Sequence, residues 1–249
     1  MQKIQFFLKL VVLLMAGAIL SMPAFAQESP SAQDHFTQGV AALSEGKPGL
    51  AVEKFNEALK LDPEMAEAFV NRGIAHLKLG QEVEAVTDFD RALELAPKSS
   101  EALYNRALAY SRQGLYKEAL EDYSQALKFE TKDWQIYYNR GNAYLDSGKS
   151  KEAMQDYLQA LKLKPEVPEI LQNRGLAYLH QGQADKALED FQAVLKLNPN
   201  FARAHFGRAQ ALEKLGRAGE AKDAYRLFLK TGNPDADAAL LQQALERLK

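Results

Sequence analysis

Arginine and aspartate recur together at a constant spacing along the chain. Arginines lie 34 residues apart, and an aspartate follows sixteen residues after each of the first four, whereas Arg208 is followed by Ala224. A guanidinium and a carboxylate can form bidentate hydrogen bonds, so each pair is predicted to join two helices and to fix their register more than it adds stability. The predicted structural ion pairs are Arg72 with Asp88, Arg106 with Asp122, Arg140 with Asp156, and Arg174 with Asp190.

The other reactive residue types form no catalytic pattern. The segment Gly148-Lys149-Ser150 matches the end of a phosphate-binding loop, but such a loop follows a strand, and here Gly148 is one of six glycines spaced 34 residues apart. The four histidines share no zinc-ligand spacing, and the absence of cysteine excludes disulfides, thiolate catalysis and cysteine-ligated metals. We therefore expect no enzymatic activity, no metal and no cofactor.

The first 26 residues have the layout of a secretory signal peptide. Lys3 and Lys9 accompany an apolar run at residues 10–20 that is short for a membrane span, and Ala24 and Ala26 suit a signal peptidase. Cleavage is predicted after Ala26, which implies a periplasmic or secreted location. An uncleaved N-terminal anchor is the alternative.

Composition and charge restrict the choice of partner. The chain is 47% hydrophobic and 26% charged, as in ordinary globular proteins. Removing residues 1–26 subtracts two lysines from 31 basic residues and leaves all 33 acidic ones, so the mature net charge is −4. Because no polybasic patch is present, we expect neither nucleic acid nor, after signal cleavage, a membrane surface as partner.

A 34-residue repeat must position these residues. With Ala32 counted as position 1, each copy has glycine at position 15, alanine at position 20, an aromatic residue at position 24 and leucine at position 28. The glycine ends one helix and lets the chain reverse, and small residues at positions 8 and 20 let the two helices approach closely. One hairpin cannot bury its apolar stripe alone, so neighbouring hairpins must stack. The six predicted repeats are 32–65, 66–99, 100–133, 134–167, 168–201 and 202–235.

Short segments flank the repeats. Residues 27–31 are predicted to be a polar leader. Residues 236–249 are predicted to be a capping helix, because an exposed stacking face would be an aggregation hazard. Its predicted apolar side consists of Leu240, Leu241, Ala244, Leu245 and Leu248.

The repeat resembles the tetratricopeptide repeat (TPR) family, through residues 137–144 (Tyr-Tyr-Asn-Arg-Gly-Asn-Ala-Tyr) and the following Gly148, Ala153, Tyr157 and Ala160. The resemblance covers 204 residues. It implies an all-α, right-handed superhelical solenoid of six helical hairpins plus the C-terminal capping helix. It also implies that the concave face, lined mainly by the first helix of each hairpin, receives a peptide.

The resemblance places repeat positions 5, 6 and 13 at this groove. Asparagine occupies position 6 in the four central repeats, and an amide offers both a donor and an acceptor to a peptide backbone. A structural role in local hydrogen bonding is the alternative. Tyrosines at position 5 are the predicted anchors. The predicted peptide-binding residues are Asn71, Asn105, Asn139, Asn173, Tyr104, Tyr138 and Arg112.

These features predict an exported scaffold that binds an extended peptide or partner protein in the concave groove. The asparagines and the ion pairs place the binding region at residues 67–182, with the end repeats acting as caps. The alternative is a structural subunit of an envelope assembly that uses its convex or end surfaces and leaves the groove empty. No oligomeric state is predicted.

Overall fold

The computed structural model describes residues 30–249, which form thirteen α-helices and no strand. The all-α hairpin solenoid is therefore confirmed. The predicted signal peptide, residues 1–26, and residues 27–29 of the predicted leader lie outside the described residues. The helices are α1 (Ala32–Ser44), α2 (Pro48–Leu61), α3 (Ala66–Lys78), α4 (Glu82–Leu95), α5 (Ser100–Arg112), α6 (Tyr116–Phe129), α7 (Trp134–Asp146), α8 (Ser150–Leu163), α9 (Pro168–His180), α10 (Ala184–Leu197), α11 (Ala202–Lys214), α12 (Ala218–Thr231) and α13 (Ala238–Arg247).

A glycine with a left-handed backbone makes the turn inside each hairpin. The six glycines at position 15, from Gly46 to Gly216, have φ between 72° and 80°. After α1, the Lys47 N–H donates to the Ala42 carbonyl at 2.9 Å, which satisfies a carbonyl at the end of the helix. A Cβ added to Gly46 would meet nothing within 4 Å. Backbone conformation, rather than lack of space, therefore requires glycine here.

Lack of space explains the small residue at position 8. A Cβ added to Gly73 would lie 2.6 Å from a ring carbon of Phe89, the position-24 aromatic of the same repeat. Phe89 is fully buried, so its ring has little freedom to move away. In the four repeats with glycine at position 8, the two helices of the hairpin thus pack through a ring seated against bare backbone, and repeats 3 and 6 have alanine there.

The solenoid curves with the first helix of each hairpin on its inside. First helices of successive repeats contact one another, from α1 with α3 through to α9 with α11. Second helices of successive repeats have no comparable contacts anywhere in residues 30–249. We call the surface formed by α1, α3, α5, α7, α9 and α11 the inner face, and the surface formed by the second helices the outer face.

The N-terminal end of the solenoid is polar. At position 3 the later repeats have buried alanine or isoleucine packed on the preceding hairpin, but the first repeat has exposed Asp34. Asp34 and Ser31 form a capping box, in which the Asp34 N–H donates to Ser31 Oγ at 3.1 Å and the Ser31 N–H donates to Asp34 Oδ2 at 2.8 Å. A further hairpin could not stack here without burying this carboxylate.

Helix α13 covers the last hairpin at the other end. Leu240, Leu241, Ala244 and Leu248 pack against the core of the sixth repeat. The prediction that Leu245 shares this apolar side is wrong, since Leu245 is 54% exposed. In the part of the chain described, no helix combines the length and apolarity needed to span a membrane.

Candidate functional site

The arginine at position 7 lies between the two helices of each central repeat. In all four repeats its Nε and Nη2 donate to the two carboxylate oxygens of the aspartate at position 23, at 2.6–2.9 Å. The aspartate side chains are only 5–6% exposed. The hydrogen bonds to Asp122 raise the pKa of Arg106 above its ordinary value, so this guanidinium stays charged. The bidentate geometry fixes one helix relative to the other.

Three of these arginines also contact the second helix of the preceding repeat, a contact that the sequence analysis missed. The sequence could have predicted this contact, because each of the three arginines has a polar residue sixteen positions before it as well as sixteen positions after it. Sixteen positions before Arg174 the residue is the apolar Leu158. Each of the three arginines therefore fixes the stacking of two repeats in addition to its own hairpin. The extra contacts are Arg72 Nη1 to Asn56 Oδ1 at 2.6 Å, Arg106 Nη1 to Asp90 Oδ1 at 2.7 Å, and Arg140 Nη1 to Ser124 Oγ at 3.2 Å.

Arg208, the equivalent residue of the sixth repeat, forms no salt bridge with any carboxylate of residues 30–249. Position 23 is Ala224, and the buried Nε of Arg208 has no hydrogen-bond partner among residues 30–249. In the four central repeats the same atom donates to aspartate. An unsatisfied buried donor costs about 1–3 kcal/mol, so this repeat lacks a contact that its neighbours use.

Two of the predicted peptide-binding asparagines join adjacent first helices on the inner face. Asn139 Nδ2 donates to the Tyr104 hydroxyl at 2.9 Å, and Asn173 Nδ2 donates to the Tyr138 hydroxyl at 3.2 Å. Asn173 Nδ2 also donates to Asn142 Oδ1 at 2.9 Å. Within the described chain, the Tyr104 hydroxyl proton has no acceptor and Asn139 Oδ1 has no donor. The pair therefore retains one donor and one acceptor for another molecule.

The other two asparagines bond within their own helices. Asn71 and Asn105 each donate through Nδ2 to the backbone carbonyl four residues earlier, at 2.9 Å. The preceding repeats carry Phe36 and Val70 at position 5, where a tyrosine hydroxyl would be needed as acceptor. The position-6 asparagines are thus not equivalent: the residue at position 5 of the preceding repeat selects the partner.

Tyr104 and Tyr138 are packed at one side and accessible at the other. The Tyr104 ring lies 6.0 Å from the ring of buried Tyr123, and the Tyr138 ring lies 6.3 Å from that of buried Tyr157. Both side chains remain partly exposed. Burial raises the pKa of each phenol above its ordinary value, so both hydroxyls stay protonated at neutral pH.

A tyrosine at position 24 is matched by a polar residue on the inner face. The Tyr157 hydroxyl donates to Asn142 Oδ1 at 2.9 Å, and the Tyr225 hydroxyl donates to Glu213 Oε2 at 3.1 Å. In the third repeat, the buried Tyr123 hydroxyl lies near that of Ser111, although neither has a partner in good hydrogen-bond geometry among the described residues. The repeats with phenylalanine at position 24 have only apolar residues at positions 9 and 12. This pairing, which the sequence analysis missed, was visible by comparing the repeats.

The remaining predicted binding residue, Arg112, is tied to the preceding repeat. Its Nη1 donates to the Leu77 carbonyl at 2.8 Å, in the last turn of α3, and lies 4.0 Å from Glu82 Oε1. A cation at this end of a helix also interacts favourably with the helix dipole. Its side chain is 46% exposed, so only some of its donors face solvent.

In the segment Gly148-Lys149-Ser150, the first two residues lie in the turn between α7 and α8, and Ser150 begins α8. The Lys149 N–H donates to the Tyr144 carbonyl at 2.8 Å, so this amide is already used in closing the helix. Within residues 30–249, histidine, aspartate and glutamate side chains form no group of three or more that could hold a metal ion.

Family models match most of the described chain. One, described as a tetratricopeptide repeat, matches residues 36–100 and 173–237, and another of the same description matches residues 100–131. A third, described as a TPR repeat, matches residues 141–182. None of the curated proteins compared with the chain matches it.

Solved structures share this architecture. MamA from Desulfovibrio magneticus is 25% identical with a TM-score of 0.65, and the match covers 70% of this chain and 98% of that one. YrrB, described as a TPR protein with an unusual peptide-binding site, is 22% identical with a TM-score of 0.65, covering 78% of this chain and 99% of YrrB. A tetratricopeptide repeat protein from Parabacteroides merdae is 20% identical with a TM-score of 0.70, covering 87% of this chain and 89% of the other. Because YrrB and the Parabacteroides merdae protein are only 22% and 20% identical to this chain, their similarity concerns the fold alone.

Proposed function

Because tetratricopeptide repeat models match more than half of its 249 residues, the chain belongs to that family, and we propose that its inner face binds an extended segment of a partner protein. The observation that carries the proposal is the pair of tyrosine–asparagine contacts on α5, α7 and α9. YrrB, a protein of the same fold that is described as having a peptide-binding site, supports it.

The two contacts suit a peptide backbone. Asn139 holds the Tyr104 hydroxyl through Nδ2, which leaves the phenol proton and the amide oxygen for a ligand. An extended peptide presents an N–H and a carbonyl at each residue, and these two groups complement that donor and acceptor. The Tyr138 and Asn173 side chains repeat the contact one hairpin later. Binding of this kind depends weakly on the ligand's side chains.

Crosslinking tests whether the inner face is used. A photoreactive phenylalanine analogue replaces Tyr138 on the inner face or, as a control, exposed Glu121 on the outer face. We expect protein adducts from position 138 in the native host, mapping by mass spectrometry to one short segment of a partner. Adducts that form only from position 121 would contradict the proposal and would favour the envelope subunit that uses its convex surface.

A peptide of the captured segment then tests the chemistry. Replacing Tyr104 and Tyr138 by phenylalanine removes two donors, and Asn139 and Asn173 can bond within their own helices, as Asn105 does beside Val70. We expect the double variant to bind the peptide about tenfold more weakly. Tyr110→Phe, which removes the hydroxyl of the ring that lies 5.9 Å from the Arg106 guanidinium, is the matched control and should bind normally. Equal affinities for all three proteins would contradict a role for the inner-face hydroxyls.

The location is part of the same proposal. Residues 1–26 have the basic start, apolar centre and small residues at the end that a signal peptidase needs. The full chain, expressed in a bacterium, should be recovered from the periplasm or medium with Gln27 as its first residue by N-terminal sequencing. A product that keeps Met1 and stays with the membrane would instead support the uncleaved anchor.

A further inference from the structure

Large apolar residues end the second helices of the first five repeats. Each of them is the last residue of its helix and occupies repeat position 30. Leu95 is partly buried, and the other four are between 42% and 57% exposed. In the sixth repeat, α12 ends at Thr231 instead. We call this set the edge row, and its members are Leu61, Leu95, Phe129, Leu163 and Leu197.

The edge row follows one side of the solenoid, apart from the inner face. Each second helix packs against the first helix of the next repeat, so the hairpins stack in one orientation and all second helices end at the same edge. Packed helices lie about 8–10 Å apart, which places successive members of the row side by side. Single exposed apolar residues are ordinary on a protein surface, but a row of five indicates a surface that another molecule covers.

Net charge changes sign along the solenoid. Repeats 1 and 2 contain seven basic and twelve acidic residues, repeats 3 and 4 contain ten of each, and residues 168–249 contain twelve basic and ten acidic ones. These three parts therefore have net charges of −5, 0 and +2. Two copies of the chain aligned antiparallel bring opposite charges together, whereas parallel alignment brings like charges together.

Charges beside the two ends of the edge row follow the same gradient. Leu61 is followed by Asp62 and Glu64, and the lysine before it already pairs with a glutamate of α2 at 2.7 Å. At the other end, exposed Lys196 precedes Leu197, and no acidic residue follows within the next five positions. The first end is thus acidic and the last is basic, so each end complements the other end of a second copy.

The centre of the edge row complements itself. Phe129 lies between Lys128 and Glu130, and all three side chains are exposed. A two-fold axis at Phe129 brings the two phenylalanine rings together and lets Lys128 of each copy meet Glu130 of the other. Leu95 and Leu163 have charges of both signs near them in the sequence, so they contribute mainly apolar contact.

We infer that a second copy of this chain docks antiparallel on the edge row, with the two-fold axis at Phe129. Leu95 then faces Leu163 of the second copy, and Leu61 faces its Leu197. The apolar area of such a contact is modest, which predicts a weak dimer with a Kd of about 10 μM. Because the contact uses an edge, both inner faces stay open, and the inference does not depend on what they bind.

Sedimentation velocity tests the dimer on the chain that begins at Gln27, over a range of about 1–100 μM. We expect Phe129→Glu to weaken dimerisation at least about tenfold, because it removes the central ring and places two like charges at the axis. Val83→Glu is the matched control: Val83 is 67% exposed at the opposite end of its helix, and the dimer should be unchanged. Circular dichroism checks folding, and Leu163→Glu replaces Phe129→Glu if that variant does not fold. A monomer over the whole range, or equal effects of Phe129→Glu and Val83→Glu, would overturn the inference.

Engineered disulfides test the antiparallel arrangement. The chain has no cysteine, so a disulfide can form only between introduced residues. Phe129→Cys should oxidise readily to a covalent dimer, and Val83→Cys should not. A mixture of Leu95→Cys and Leu163→Cys chains, distinguished by a tag, should form mainly the mixed disulfide.

Charge reversal tests the gradient. Glu64→Lys should weaken the dimer, and Lys196→Glu in the same chain should restore it. A preference for disulfides between identical chains in the mixture, or no rescue by the second reversal, would refute the antiparallel pairing.

Discussion

Replacing Asp156 by alanine removes the partner of a partly buried arginine. Arg140 donates to Asp156 through Nε and Nη2 at 2.7 Å, and its side chain is only 19% exposed. Without Asp156 its remaining side-chain acceptor in the described chain is neutral Ser124 Oγ, at 3.2 Å. Breaking a buried pair typically costs about 3–5 kcal/mol, because one charge is left without compensation. We expect Asp156→Ala to lower the free energy of unfolding by about 3 kcal/mol, at the lower end of that range.

Asp122→Ala is the informative comparison. It removes the same bidentate contact from Arg106, but Asp90 remains 2.7 Å from Arg106 Nη1 and compensates part of the charge. We therefore expect Asp122→Ala to lower the free energy of unfolding by about 1 kcal/mol less than Asp156→Ala does. Asp90→Ala alone should cost less than about 1 kcal/mol, because the Asp90 side chain is 50% exposed.

Urea denaturation followed by circular dichroism measures these losses, and hydrogen exchange shows whether the affected repeat opens alone. A double-mutant cycle then isolates the pair. Arg140→Ala and Asp156→Ala should destabilise together by clearly less than the sum of their separate effects. Losses that add within about 0.5 kcal/mol would refute the argument that the pair acts as a unit. Equal losses for Asp156→Ala and Asp122→Ala would refute the compensating role of Asp90.

Four further predictions concern single positions, each with a control. Ala224→Asp should raise the free energy of unfolding by about 1 kcal/mol by pairing the unpartnered Arg208 Nε, and should destabilise when combined with Arg208→Gln. Gly148→Ala, at a φ of 80°, should lower the free energy of unfolding by about 1 kcal/mol, whereas Gly49→Ala in α2 should not lower it. Asn142→Leu should cost about 1–2 kcal/mol by leaving the Tyr157 hydroxyl without its acceptor, and adding Tyr157→Phe should recover much of that loss, since repeat 5 naturally has Leu176 with Phe191. Burial favours the neutral form of Asp237, but hydrogen bonds from Arg203 and the Asn233 N–H outweigh this effect and lower the pKa of Asp237. The ionised Asp237 therefore stabilises the fold above about pH 4, and this stabilisation is lost as the pH falls further. On acidification the NMR signals of α13 should broaden first, and Arg203→Ala should weaken this response.

The architecture followed from residues that act within one repeat. The glycine at position 15 needs its left-handed backbone whatever surrounds it, and the small residue at position 8 is dictated by the ring sixteen residues later in the same hairpin. These requirements recur at a constant period, so the sequence alone predicted the turns, the hairpins and their stacking. The arginine and aspartate spacing likewise indicated which residues meet inside a hairpin.

Contacts between repeats were harder to predict. Asn105 and Asn139 occupy the same repeat position, yet Asn139 reaches Tyr104 and Asn105 bonds within its own helix. The difference lies in the neighbouring repeat, at a residue 35 positions away, and in the curvature that brings first helices together. Periodicity treats equivalent positions as alike, whereas the hydrogen bond depends on the side chain across the interface.

The sequence by itself determined the repeat, the hairpin and the fold class, because each depends on local backbone geometry and on an apolar pattern of fixed period. Only the tertiary structure decided that Arg112 is tied to the Leu77 carbonyl and that Leu245 is exposed. The physical reason is that these features arise where separate elements meet. Burial and hydrogen bonding there depend on the relative placement of helices that are distant in the sequence or, at the capping helix, outside the repeat pattern.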